Sequence, residues 1–159
     1  MVSPMNPHAL TRAQWVLAVL VVVGLAIDAF VHFDLADAFA GVKTSTLSQA
    51  DLFRVEAVAA IVAAVALLVR PRRYTVAFAT LVALAGVVAV VLYRYVDVGK
   101  IGPIPDMYDP YWQPAEKMLS VIGEVVATVA GAVLLLQLHQ QTRRGTTTTS
   151  APATTSVAG

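Results

Sequence analysis

Thr75–Val96 reads TVAFATLVALAGVVAVVLYRYV, an apolar run whose one charge, Arg94, stands two residues before its end. A helix needs about 20 such residues to cross the hydrocarbon core of a bilayer. Trp15–Phe33, Leu52–Val69 and Met118–Leu138 are runs of the same kind, so the chain is expected to cross four times. Strands do not fit, because an open sheet leaves backbone groups unpaired in lipid, and no alternating segments of about ten residues suggest a barrel. Local punctuation agrees with helices. Ser48-Gln49-Ala50-Asp51 resembles a capping box opening the second span, and Pro114-Ala115-Glu116 puts proline and an acid in the first turn of the fourth.

Composition points to the same class. Of 159 residues, 58% are hydrophobic and only 13% charged, and the mean hydropathy is +0.73. The chain has no cysteine, which excludes structural disulfides, thiolate metal sites, iron–sulfur clusters and thiol redox catalysis. No basic stripe suggests nucleic acid, and the expected surroundings are the lipid bilayer, with a membrane protein partner or a homo-oligomer as further possibilities.

The net charge of +1 hides a segregation by position. Arg12, Arg70, Arg72, Arg73, Arg143 and Arg144 fall on one side of the four spans with no acidic residue among them, and all ten Asp and Glu fall on the other half. The positive-inside rule then makes the arginine side cytoplasmic, with both termini inside and the bacterial inner (plasma) membrane as the location. The first span could instead be a cleaved signal, with Ala38-Phe39-Ala40 as the small-residue site. Its apolar run exceeds the usual 7–15 residues and lies far from that site, so it is expected to be retained. The organisation read from these features is a cytoplasmic segment over 1–11, a transmembrane four-helix domain over 12–141 and a disordered cytoplasmic tail over 142–159, of which Gly145–Gly159 is Thr, Ser, Ala, Pro and Gly with one valine.

The third connection, Asp97–Pro114, holds Pro103, Pro105, Pro110 and Pro114 together with Tyr108, Tyr111 and Trp112. Proline stiffens it and the aromatics favour the membrane interface, so it is expected to cap the outer face, as an anchor or as a lid over a ligand.

Charges inside the spans carry the functional signal, since an ionisable group at membrane depth is costly and normally faces the bundle interior or water. Asp28 and His32 are four apart on the first helix, one face with Gly24. Glu56 shares a stripe with Ala60 and Ala63, Arg94 ends the stripe Ala79, Ala83, Gly86 and Val90, and Glu124 lies among Ser120, Thr128 and Gly131. Small residues mark where transmembrane helices approach closely, so Asp28, His32, Glu56, Arg94 and Glu124 are expected to meet. At about 1.5 Å per residue all lie on the order of 2–11 Å below the outer ends of the spans, in one polar layer. Arg54 is about 200° round the helix from Glu56 and is expected at the interface.

Three carboxylates against Arg94 and one His32 leave acid in excess, so the layer should hold an extra proton, a protonated His32 or a bound cation. Three readings follow from it. The first is an ion-pair network that fixes packing, with Arg94 bridging carboxylates. The second is a site for a proton or small polar ligand. The third is a metal site using Asp28, His32, Glu56 and Glu124, although there is no Glu-x-x-His pair. No cofactor is assigned: haem does not fit, because His32 and His139 fall near opposite ends of the membrane and His8 is in the N-terminal segment, and no hydrolase elbow, phosphate loop or zinc-protease motif occurs. The function expected is a non-enzymatic membrane protein whose outer-leaflet layer binds a proton, cation or small polar ligand or supports a partner. The alternative is an enzyme or redox accessory acting on a lipophilic substrate such as a quinone.

His32 at the end of the first span, Leu52-Phe53-Arg54-Val55-Glu56-Ala57 opening the second, Tyr93-Arg94-Tyr95-Val96-Asp97-Val98-Gly99 closing the third and Ser120-Val121-Ile122-Gly123-Glu124 in the fourth form an ordered set. On these the chain resembles small four-helix bacterial membrane proteins of unassigned function, over about Trp15–Leu138. In outline it is also similar to DoxX-type four-helix proteins, without their motifs. The resemblance implies the fold and carries no activity.

Overall fold

A computed structural model describes residues 10–149. Four helices account for most of them: α1 (Arg12–Ala36), α2 (Gln49–Val69), α3 (Arg73–Tyr95) and α4 (Glu116–Thr149), with one 3-10 turn at Asp37–Phe39 after α1. Among the described residues there is no strand, and the chain is an all-α four-helix bundle. Each helix contains a stretch long and apolar enough to cross a membrane.

The helices start where side chains can satisfy their free N–H groups. Thr11 Oγ1 accepts from Gln14 N (3.2 Å) while Thr11 N donates to Gln14 Oε1 (2.9 Å). The expected box at Ser48 forms with Asp51: Ser48 Oγ accepts from Asp51 N (3.1 Å), and Ser48 N donates to Asp51 Oδ2 (3.0 Å). Between α2 and α3 only Arg70, Pro71 and Arg72 intervene, and Thr75 Oγ1 ties that turn down by donating to Arg70 O (2.6 Å). So short a link makes α2 and α3 antiparallel neighbours.

Around the bundle α1 packs on α2 and α4, and α3 packs on α4 and, less extensively, on α2. The α1–α4 seam is the tightest. A Cβ placed on Gly123 would stand 2.9 Å from Gly24 O, and one on Gly24 would stand 2.9 Å from Ala127 Cβ. Glycine at both positions lets the two backbones touch. The core is built from small residues (Ala18, Ala57, Ala60, Ala63, Ala79, Ala83 and Ala127) filled in by Val21, Leu25, Leu67, Val76 and Leu134. The large apolar side chains point outward instead. Phe30 is 65% exposed, Val55 66% and Leu81 62%, an arrangement suited to a lipid solvent, where association rests on close packing and not on hiding bulky side chains from water.

The helices run past the apolar runs that mark them in the sequence. α1 extends through Ala36, and α4 continues to Thr149, into the stretch expected to be an unstructured tail; Thr142 Oγ1 there donates back to Leu138 O (3.2 Å). Residues 1–9 and 150–159, which hold most of the expected N-terminal segment and the end of the tail, lie outside the described residues.

Candidate functional site

Asp28, His32, Ser120 and Glu124 meet inside the bundle at the end opposite Arg12, Arg70, Arg72 and Arg73. α1 supplies Asp28 and His32 one turn apart, and α4 supplies Ser120 and Glu124 one turn apart, so two i, i+4 pairs face each other across the glycine seam. Asp28 and Glu124 are both fully buried. Ser120 Oγ donates to Asp28 Oδ1 (2.8 Å) and lies 3.4 Å from Glu124 Oε1. His32 Nδ1 stands 2.8 Å from the same Asp28 Oδ1 and 3.0 Å from the Asp28 carbonyl oxygen, which fixes the ring against its own helix. The edge of the Phe53 ring meets it from α2, with ring centroids 5.0 Å apart. α3 contributes an empty place. A Cβ on Gly86 would collide with Glu124 Oε1 and lie 2.7 Å from its carboxyl carbon, so glycine is what admits the carboxylate between α3 and α4.

Beside this cluster lies a cavity of about 180 Å³, lined by all four helices and the third connection. His32 and Ser120 open onto it from the cluster, Phe53 and Glu56 from α2, and Gly86, Ala89, Tyr93 and Arg94 from α3. Its roof is the third connection. Asp109 N donates to Tyr93 O (3.0 Å), an ion pair joins Asp109 to Lys117, and Thr44 Oγ1 donates to Pro103 O (2.9 Å), so the loop is anchored to α3, α4 and the first connection. Of the aromatics expected to cap that end, Tyr111 and Trp112 line the cavity, whereas Tyr108 does not.

Arg94 requires a correction. One of the three readings, the ion-pair network, had it bridging carboxylates, yet among the described residues it makes no ion pair with Asp28, Glu56 or Glu124. Its guanidinium lies 5.1 Å from the Tyr95 ring centroid and 5.2 Å from that of Trp112. A planar, weakly hydrated cation is well held by aromatic faces, and the loop brings Trp112 to it. Arg94 Nε and Glu56 Oε1, both on cavity-lining side chains, are buried without a hydrogen-bond partner. Asp28 Oδ2 and Glu124 Oε2 are likewise unpartnered, the oxygens opposite those that Ser120 approaches. Arg54 is at the bundle surface, donating to Asp37 Oδ1 (2.6 Å).

Five residues singled out by charge and stripe thus divide into two groups: Asp28, His32 and Glu124 in one cluster, Glu56 and Arg94 on the wall of the adjoining cavity. Sequence reasoning assigned no role to Ser120 as donor, though its i, i+4 spacing to Glu124 was a usable signal. It had no signal for Lys117 and Asp109, whose pairing depends on the path of the loop. Comparison with protein-family models, curated proteins and solved structures gives no match.

Proposed function

We propose that this is a binding protein of the bacterial plasma membrane, with both termini cytoplasmic, that holds a small ligand carrying a polar group in the outer-leaflet half of the bundle. The arginine-only end supports that orientation through the positive-inside rule, and the resemblance to small bacterial four-helix proteins supports the location. One observation carries the binding role: Glu56 and Arg94 line the cavity among apolar and aromatic side chains, and each holds a buried polar atom without a partner, Glu56 Oε1 and Arg94 Nε. Buried polar atoms left without partners cost roughly 1–3 kcal/mol each, and a ligand that bonds both recovers it. A mostly apolar pocket with a few convergent polar groups is the usual form of a small-molecule site. His32 beside the same space also suits a lipophilic substrate with a polar ring, such as a quinone, as an enzyme or redox accessory would use.

Ala89→Trp tests the proposal, because Ala89 lines the cavity and is itself exposed, so the larger side chain has room to fill the space. Mass spectrometry of small molecules released from the purified protein is expected to detect a species with wild type and little with the variant at unchanged thermal stability. Equal content in both, or no such species from folded wild type, contradicts the cavity as a binding site.

A further inference from the structure

Asp28, His32 and Glu124 each offer one ligand atom to a shared space. Those atoms lie within 4.8 Å of one another, with two fully buried carboxylates among them. We propose that this cluster is a site for a divalent transition-metal ion, a deepening that rests on reading this end of the bundle as a binding site. Three physical features converge on it.

The first is charge. Ionised carboxylates at zero exposure are costly in low dielectric without a positive partner, and Arg94 does not come to Asp28 or Glu124. One divalent cation balances that charge.

The second is the arrangement of free lone pairs. Ser120 Oγ donates its one proton to Asp28 Oδ1, which orients that carboxylate, and Asp28 Oδ2 and Glu124 Oε2 are buried without a partner. Polar groups that hold ligating carboxylates from behind are what metal sites require.

The third is spacing. Two donors bound to one ion at about 2.0–2.2 Å sit roughly 3 Å apart, so three ligand atoms that already lie within 4.8 Å of one another need to close by no more than about 2 Å. One imidazole and two carboxylates select Zn²⁺, Mn²⁺, Fe²⁺ or Co²⁺ over the all-oxygen preference of Mg²⁺ and Ca²⁺. His32 and Ser120 also face the cavity, so an ion here would present its remaining coordination positions to whatever enters. Glu56 lies outside the three-residue group.

Cobalt tests this directly, because Co²⁺ bound by nitrogen and oxygen gives visible absorption bands that report coordination. Full-length protein purified through a tag without histidine and stripped with chelator is titrated with Co²⁺ in detergent. The expected result is saturation at one Co²⁺ per chain, displacement by Zn²⁺, and a higher melting temperature with metal. His32→Gln and Glu124→Gln should each weaken binding about tenfold or more, while Glu56→Gln stays within about threefold of wild type. Folded wild type that shows no saturable Co²⁺ binding, or His32→Gln and Glu124→Gln that bind as wild type does, overturns the site. The titration needs no cavity ligand, so its failure removes the metal site and leaves the Ala89→Trp comparison to judge the cavity.

Discussion

Ser120 does more for this bundle than its size suggests. It is the hydroxyl donor to Asp28, a carboxylate with no access to solvent. Ser120→Ala should therefore destabilise the protein by about 0.5–1.5 kcal/mol, the loss of one buried hydrogen bond while His32 stays against the same oxygen, read by denaturation in detergent. A control without that cost is Thr46→Ala, in the exposed first connection, which should change stability little. Arg94 makes the contrasting case. Its contacts are the rings of Tyr95 and Trp112, so a double-mutant cycle of Arg94→Leu with Trp112→Leu should return a coupling of about 0.5–2 kcal/mol. Additivity in that cycle would place the guanidinium elsewhere. The pairing of Asp28 with His32 was legible in the sequence, because four residues on a helix fix a shared face. The partner of Arg94 was not, because charge balance suggested carboxylates while the choice was made by where a proline-rich loop lays Trp112, a matter of tertiary path that no spacing encodes.

Between elements the decisive contacts are made by residues with almost no side chain. Gly24 and Gly123 bring α1 and α4 into backbone contact, and Gly86 makes room for Glu124 between α3 and α4. Gly24→Ala is expected to cost about 1–3 kcal/mol by overpacking, whereas Gly41→Ala, with nothing within 4 Å of its new Cβ, should be nearly neutral. Gly86→Leu should be worse than either, since it drives a side chain into a buried carboxylate. A melting temperature for Gly24→Ala equal to wild type would mean that the α1–α4 seam is looser than described. The stripes of small residues told the reader of the sequence which faces meet, because close approach in lipid selects small residues. They did not reveal that Gly123, on the α4 turn beside Glu124, would be the partner of Gly24, since a stripe defines a face and not its register against the neighbouring helix.

The whole molecule has an electrostatic polarity that its helices convert into topology. Cytoplasmic reporters fused after Arg72 and after Arg144 should be active, and an external reporter within Gly41–Gln49 should be active; external activity at the C-terminal fusion would reverse the orientation. Helix number, type and approximate limits were readable from apolar run length, a signal set by bilayer thickness. The cavity was not, because its walls come from all four helices and its roof from a distant loop. That cavity is also the most direct object to measure. The natural chain has no cysteine, so Ala89→Cys introduces one thiol on its wall and Val88→Cys introduces one on the exposed outer face. Maleimide labelling rates should rise several-fold at Ala89→Cys once co-purified small molecules are removed by extensive detergent exchange, and stay the same at Val88→Cys. Equal rates at Ala89→Cys before and after exchange, in protein that remains folded, would contradict a cavity that holds a ligand.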